Sequence, residues 1–120
     1  YIQQANDEVV VVVQAEHAQA VENIQAIATT PGVDGVFIGP YDLSASLGKM
    51  GQLDDPIVVN AIEHITQTCL TAGVKRGVFT TSAEAAKPYI ECGFTLITAG
   101  TDTLLLGQGG RDIVGDIKGR

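Results

Sequence analysis

Two carboxylates in this sequence follow apolar runs that have the character of buried strands. Glu16 closes the run EVVVVVQAE, residues 8–16, and Asp42 follows VFIGPY, residues 36–41. Because side chains alternate along a strand, Gln14 points to the same side as Glu16. Carboxylate oxygens suit a hard divalent cation such as Mg²⁺ or Mn²⁺, with positions left open for substrate and water. The pattern therefore indicates a metal site formed by Glu16 and Asp42.

Each carboxylate also has a purely structural interpretation. Aspartate is a preferred helix cap, so one alternative is that Asp42 begins a helical turn at LSAS, residues 43–46. For Glu16 the alternative is a solvated residue that opens the next helix, because acidic side chains are favoured in the first helical turn. The joint position of the two carboxylates at neighbouring strand ends favours the metal site.

The surrounding sequence alternates between strand and helix patterns four times. Strands are predicted at residues 8–16, 33–38, 75–79 and 94–100, helices within residues 18–28, 53–73 and 80–93, and one or two short helices interrupted by glycines within 101–117. This alternation predicts right-handed crossovers and a parallel sheet. The five valines of the first strand predict burial on both of its faces.

Local signals mark two helix starts and the predicted core. Asp55 is a plausible N-cap with Pro56 at the first helical position, and Thr81 and Glu84 have the spacing of a capping box. Gly73 follows the last turn of the helix that Asp55 begins. The predicted buried stripes contain Ala20, Val21, Ile24, Ile27 and Ala28 in one helix and Val58, Ile62, Ile65 and Cys69 in the next.

Two α/β architectures accommodate this order of elements. One is an open, doubly wound sheet of four strands; the other is half of a (β/α)₈ barrel, which as a whole has about 250 residues. Both architectures place ligand-binding residues at the carboxyl ends of their parallel strands. At 120 residues the chain is long enough for one domain and short for a complete barrel.

Composition excludes several classes of partner. With 7 Lys and Arg against 14 Asp and Glu, the net charge of −7 leaves no basic stripe for nucleic acid and repels anionic membranes. No apolar run reaches the roughly 18 residues of a membrane helix, and YIQQANDE at the start lacks a signal-peptide pattern. We therefore expect a soluble, cytoplasmic protein, in which Cys69 and Cys92 are reduced and mostly buried.

Other residues with chemical potential have ordinary interpretations. No lysine stands at a strand's carboxyl end, where a Schiff base would form, and Lys75 lies at the beginning of its strand. His64 lies opposite an apolar helix stripe and is predicted to be exposed. His17 is predicted to pack at the mouth of the barrel rather than bind metal. The GQGG run, residues 107–110, lacks a phosphate-binding lysine and is interpreted as a helix break.

Three segments together resemble the second half of the metal-dependent pyruvate aldolases of the HpcH/HpaI family. They are VVQAEHAQAVENIQAI (12–27), VDGVFIGPYDLSASLG (33–48) and GTDTLLL (100–106). The specific signature is G-P-x-D-L-S with an acidic residue 26 positions before its aspartate. The resemblance implies an α/β fold of parallel (β/α) units, strands five to eight of a TIM-type barrel. It also implies that residues 1–120 are a single domain, with the N-terminal half absent from this chain.

The resemblance also implies roles for individual residues. Glu16 and Asp42 match the family's metal ligands, for Mg²⁺, Mn²⁺ or Co²⁺, and Gln14 matches a substrate-contacting glutamine. Gly39, Pro40 and Tyr41 match the backbone segment that holds the pyruvate carboxylate, and Phe79 matches an apolar residue lining the pocket. Tyr41 replaces a residue that is usually small, so its ring either narrows the aldehyde side of the pocket or turns outward. The family's general-base histidine and its arginine lie in the half that this chain lacks, so no catalytic residue is assigned here.

The activity implied by the resemblance is that of a lyase. It is the reversible aldol cleavage of a 4-hydroxy-2-keto acid to pyruvate and an aldehyde, in which a divalent ion stabilises the enolate. The alternatives are a citrate-lyase-type or malyl-CoA-type lyase with a similar pair of metal ligands, and a non-catalytic half-barrel that serves binding or assembly. The family also implies a homo-oligomer, a hexamer built as a trimer of dimers.

Overall fold

A computed structural model describes residues 4–119, so the predicted domain boundaries at residues 1 and 120 lie outside the described residues. The strands are β1 (Val12–Ala15), β2 (Gly35–Ile38), β3 (Lys75–Thr80) and β4 (Leu96–Ala99). The helices are α1 (Ala5–Glu8), α2 (Ala18–Glu22), α3 (Ile24–Ala28), α4 (Pro40–Ser46), α5 (Pro56–Ala72), α6 (Ala83–Glu91) and α7 (Asp102–Lys118). The predicted alternation of strands and helices is confirmed.

The order of strands in the sheet decides between the two predicted architectures. The four strands lie in the order β1-β2-β3-β4, and each pairs in parallel with the next. When neighbours in sequence are neighbours in space, right-handed crossovers all pass on the same side of the sheet. A doubly wound sheet instead reverses its strand order and carries helices on both faces. The chain is therefore a half-barrel, and its assignment to strands five to eight stays a prediction.

The hydrophobic core lies between the helices and one face of this sheet. Val36, Ile38 and Val78 are fully buried there. The same cluster contains Ala15, Ile24, Ala28, Leu43, Ala61, Ile65, Cys69 and Phe94, with Val13, Ala20, Val21, Ile27, Ile62 and Ile97 packed against it. Both predicted helix stripes therefore face the core, as expected.

The opposite face of the sheet is open. Gln14, Phe37 and Gly77 are paired across three strands and so share this face. A methyl group added at Gly77 would lie 2.5 Å from Cδ2 of Phe37, so the phenylalanine ring lies directly over this glycine. Leu96 on β4, which pairs with Gly77, is 49% exposed. In a closed barrel this face is the packed interior.

The first strand differs from its prediction. The observed strand, β1, is shorter than the predicted strand over residues 8–16. Residue 8 and the three residues before it form helix α1. Val9, Val10 and Val11 are 58%, 71% and 42% exposed, which contradicts the predicted burial on both faces. The physical reason is that β1 is an edge strand whose open face has no covering layer among residues 4–119.

Three helices also differ from their predictions. The helix predicted over residues 18–28 is divided at Asn23, whose Nδ2 donates to the carbonyl of Gln19 at 2.7 Å. A further helix, α4, begins directly after β2, where only a possible helical turn at residues 43–46 was considered; Pro40 is its first residue. The glycine-rich segment forms one continuous helix, α7, whose start is capped because the Leu104 N–H donates to Thr101 Oγ1 at 3.3 Å.

The predicted helix caps have different outcomes. Asp55 caps α5 as expected, since its Oδ1 accepts from the Ile57 N–H at 2.9 Å, and Gly73 ends the helix with a φ of +72°. That hydrogen bond, together with Lys49 beside Oδ2, holds the pKa of Asp55 below its ordinary value. The capping box of Thr81 is wrong, because Ser82 is the cap of α6 and accepts from the Ala85 N–H at 3.2 Å.

The predictions for the cysteines and His64 are confirmed in part. Both thiols are free, and Cys69 is buried as expected, so that burial raises the pKa of its thiol. Cys92 is exposed, contrary to expectation, because it lies at the C-cap of α6. His64 is exposed on α5 as predicted. Within residues 4–119 no helix has both the length and the apolar character needed to cross a bilayer.

The half-barrel leaves a large apolar surface uncovered. Its radius of gyration is 17.4 Å, whereas a compact domain of this length has about 14 Å. Its accessible surface is 8082 Å², against roughly 6,200 Å² for a folded monomer of this mass. On α7, Leu105, Leu106 and Ile117 are 67%, 80% and 81% exposed. Uncovered apolar faces and unpaired strand edges are sites of association.

We predict that the 120-residue chain does not persist as a monomer in solution. It should pair with a complementary half-barrel, pair with itself, or aggregate, because β1 and β4 each leave one edge unpaired within the described sheet. Sedimentation velocity over a range of concentrations measures this directly. A monomer that remains stable at all concentrations would contradict the prediction.

Candidate functional site

Glu16, Gln14 and Gly39 meet at the carboxyl end of the sheet. Glu16 directly follows β1, and Gly39 directly follows β2. A methyl group added at Gly39 would lie 2.8 Å from Glu16 Oε2, 3.2 Å from Glu16 Cβ and 3.5 Å from Gln14 Nε2. The three residues therefore share the open face, as the predicted alternation of side chains requires, and a side chain at position 39 would displace the Glu16 carboxylate from its observed place.

The amide of Gln14 is directed at the Glu16 carboxylate. Its Nε2 donates a hydrogen bond to Glu16 Oε2 at 2.6 Å. A hydrogen bond to a charged acceptor is short and strong, and it limits the orientations that the acceptor can take. Gln14 thereby holds one oxygen of Glu16 in a defined place.

Both carboxylates lie near helix starts, but not in the positions that the structural alternatives gave them. Gly39 is the N-cap of α4, and Asp42 lies in the helix's first turn without a cap role. Glu16 stands before His17, which is the N-cap of α2, so Glu16 is outside the first turn of that helix. The two ion pairs within the described part of the chain involve Lys49 and Lys87, so neither carboxylate is neutralised by a lysine.

The donor set at this edge fits a hard divalent cation. Glu16 directly follows β1 and Asp42 lies in the first turn of α4, and Mg²⁺ in proteins is commonly held by one or two carboxylates while substrate and water complete its coordination. Among residues 4–119 no group of three or more His, Cys, Asp or Glu side chains could hold a metal. An ion held by Glu16 and Asp42 would therefore need its further ligands from outside the described His, Cys, Asp and Glu side chains.

The other predicted site residues lie around this edge. Pro40 is buried as the first residue of α4. Tyr41 is 54% exposed, and its ring Cε2 lies 3.6 Å from where a methyl group on Gly51 would be, which favours the outward orientation of the ring. Phe79 is half-buried and two residues after Gly77, so it lies on the same open face. Whether these residues contact substrate stays a prediction.

His17 has a different role from the one predicted. Its side chain is exposed rather than packed, and its Nδ1 accepts from the Gln19 N–H at 3.2 Å. It therefore caps the short helix α2. A loop histidine two residues before a free amide satisfies that amide more readily than it packs in an open half-barrel.

Two features of the site were not predicted from the sequence. Phe37 lies on the open face below the Gln14 and Glu16 side chains, and the step of two residues from Phe37 to Gly39 was the signal that could have placed it there. Ser44 is fully buried, and its Oγ donates to the Tyr41 carbonyl at 2.6 Å and accepts from the Gly51 N–H at 2.9 Å. No local pattern predicts the second of these bonds, because it joins a helix to the loop beyond it.

Comparison with known proteins places the whole chain within one family of enzymes. The model of the family described as HpcH/HpaI aldolase/citrate lyase matches residues 1–108. A hydroxypyruvate/pyruvate aldolase of Cupriavidus necator is 37% identical over 118 residues, which are 98% of this chain and 44% of that protein. A 4-hydroxy-2-oxo-heptane-1,7-dioate aldolase of Klebsiella pneumoniae is 44% identical over 109 residues, 91% of this chain and 41% of that protein.

Solved structures give the same result for the fold. A crystal structure of an HpcH/HpaI aldolase/citrate lyase family protein from Burkholderia cenocepacia superposes with a TM-score of 0.94 and 40% sequence identity. The match covers 98% of this chain and 46% of that chain. The described sheet and helices therefore span just under half the length of these relatives.

We predict that Gly39→Ala lowers Mn²⁺ affinity about tenfold, the effect typical of changes that displace a metal ligand. The added methyl group would meet the Glu16 side chain at 2.8 Å and 3.2 Å, so the carboxylate must move. Titration followed by electron paramagnetic resonance measures the affinity. The control is Gly109→Ala, whose methyl group meets nothing within 4 Å. Unchanged affinity in Gly39→Ala would contradict this geometry.

Proposed function

This chain belongs to the HpcH/HpaI aldolase/citrate lyase family, and on that premise we propose that it forms the metal-binding half of a carbon–carbon lyase. The proposed reaction is the reversible aldol cleavage of a 4-hydroxy-2-keto acid to pyruvate and an aldehyde. The observation that carries the proposal is the approach of Gly39 to Glu16, with Asp42 in the helix that begins immediately after Gly39. Both carboxylates follow the carboxyl ends of neighbouring parallel strands, and barrels of this type hold their active sites at that end of the sheet.

In this proposal Glu16 and Asp42 hold the divalent ion, Mg²⁺, Mn²⁺ or Co²⁺. When bound, such an ion supplies electrostatic stabilisation of the enolate charge that develops as the carbon–carbon bond breaks. The Gln14 hydrogen bond keeps one Glu16 oxygen in place. Because orienting groups of this kind contribute to metal affinity, Gln14 supports the site even before it meets substrate.

Other residues of the open face are proposed to bind the keto acid. The backbone from Gly39 to Tyr41 is proposed to contact its carboxylate, since glycine allows the main chain to come close to a ligand. Gln14 and Phe79 are proposed to line the pocket, and the Phe37 ring over Gly77 forms its floor. A pocket with an apolar floor and a few polar groups is the usual construction for a small organic ligand.

The substrate class rests on the relatives and on the site together. The relatives are named hydroxypyruvate/pyruvate aldolase and 4-hydroxy-2-oxo-heptane-1,7-dioate aldolase. These names share a 2-keto acid, whose adjacent carboxylate and keto oxygens are hard ligands of the kind that a two-carboxylate site leaves room for. The family's histidine and arginine are proposed to come from the first half of the barrel, and the complete protein is proposed to be a cytoplasmic homo-oligomer.

We predict that Glu16→Gln and Asp42→Asn each lower Mn²⁺ affinity by more than about tenfold, since removal of a ligand costs at least as much as removal of a group that orients one. The same titration used for Gly39→Ala measures this. The matched control is Glu63→Gln, which removes an exposed carboxylate on α5. If Asp42→Asn binds Mn²⁺ as well as the unchanged protein does, the proposed site is wrong.

We predict that aldol cleavage by the assembled protein, this chain paired with a second half-barrel, is abolished by a chelator and restored by Mg²⁺, Mn²⁺ or Co²⁺. Borohydride added with pyruvate should leave activity intact, because it traps only a Schiff base. Mass spectrometry reports any trapped pyruvate. Covalent pyruvate on a lysine would overturn the metal-dependent mechanism, and tight metal binding without any cleavage would favour a binding or assembly module.

A further inference from the structure

A hydrogen bond joins the segments that carry Glu16 and Asp42, and the proposed function gives this bond no role. The Ala18 N–H donates to Ser46 Oγ at 2.8 Å, in a half-buried position, across 28 residues of sequence. On the other side of Glu16, the Gly39 N–H donates to the Ala15 carbonyl at 3.4 Å. Glu16 is therefore bracketed by two contacts to the segment that contains Asp42.

The bond from Ala18 satisfies an amide that its own helix leaves free. Ala18 is the first residue of α2, and the first amides of a helix have no partner within the helix. The next amide, that of Gln19, is satisfied locally by His17. The Ala18 amide instead finds its acceptor on α4, so the start of α2 is held by a different part of the chain.

Helix α4 carries Ser46 and Asp42 on the same side. The helix spans Pro40–Ser46, and residues four positions apart lie on one helical face. Because Ser46 reaches the segment after β1, the face that carries Asp42 is turned toward that segment as well. Ser44 also fixes the position of this helix, because its Oγ donates a hydrogen bond to the Tyr41 carbonyl and accepts one from the Gly51 N–H.

We infer that Ser46 is a positioning residue that sets the place of Glu16 relative to Asp42. This inference rests on the proposed function, because it concerns the two proposed metal ligands. Without the Ser46 hydroxyl, the Ala18 amide loses its partner in a half-buried position, and the segment after β1 loses its hydrogen bond to α4. Two ligands that are no longer held at a fixed separation bind an ion more weakly.

The inference is tested with Mn²⁺ alone, titrated into the soluble, assembled form of the chain that sedimentation identifies and followed by electron paramagnetic resonance. We expect Ser46→Ala to weaken Mn²⁺ binding about tenfold, at the lower end of the range for groups that orient metal ligands. Ser46→Thr keeps the hydroxyl and should retain the affinity. Ser46→Val has nearly the shape of threonine without the hydroxyl and should bind Mn²⁺ more weakly. If Ser46→Ala fails to fold, the comparison of Ser46→Thr with Ser46→Val tests the role of the hydroxyl.

The matched control is Ser82→Ala. Ser82 Oγ accepts from the Ala85 N–H at 3.2 Å, so this variant removes the same kind of bond from α6. Its melting temperature should fall as that of Ser46→Ala does, while its Mn²⁺ affinity stays unchanged. A purely structural role of Ser46 would make the two variants behave alike.

The outcomes separate this inference from the proposed function. Failure of the unchanged chain to bind Mn²⁺, or equal binding by Glu16→Gln, would overturn the proposed metal site and this inference with it. Equal affinity in Ser46→Val and Ser46→Thr would overturn the role of Ser46 alone. In an Asp42→Asn background, Ser46→Ala should weaken binding less than it does in the unchanged chain, because one of the two positioned ligands is already altered.

Discussion

The absence of a side chain at Gly39 is the constraint on which this edge of the molecule depends. The Glu16 carboxylate occupies the space that any other residue at position 39 would need. That close approach lets β2 end beside β1 and then turn at once into α4, which carries Asp42. The same geometry leaves Gln14 free to hold Glu16. Glycine at position 39 thus permits the observed grouping of the Glu16 and Gln14 side chains beside the start of α4.

The two faces of the sheet have different roles. The buried face stabilises the fold, and the open face carries the residues of the candidate site. Val36, Ile38 and Val78 pack against the helices and have no exposed surface. Gln14, Phe37 and Gly77 alternate with them and face the other way. Burial of apolar side chains stabilises the first set, whereas the second set gains its packing only when a barrel closes. The chain can therefore hold the framework of a site without enclosing it.

Prediction from the sequence succeeded where a few neighbouring residues determine the structure. Asp55, Pro56 and Gly73 mark α5 because a cap, a proline and a left-handed glycine act locally. Alternation likewise placed Gln14 and Glu16 on one side of their strand. The length of β1 and the exposure of Cys92 depend on what covers them, which composition does not specify. The bond from Ala18 to Ser46 spans 28 residues, so no window of sequence contains it.

The composition and exposure of helix α7 affect the order in which parts of the molecule become rigid. It contains four glycines, Gly107, Gly109, Gly110 and Gly115, and buries none of its residues. Each glycine inside a helix costs about 1 kcal/mol relative to alanine, and isolated helices of this length are marginal in water. The described half-barrel therefore contributes little to its helical state. In the unassembled chain, its backbone amides would exchange with solvent deuterium long before those of the central strands.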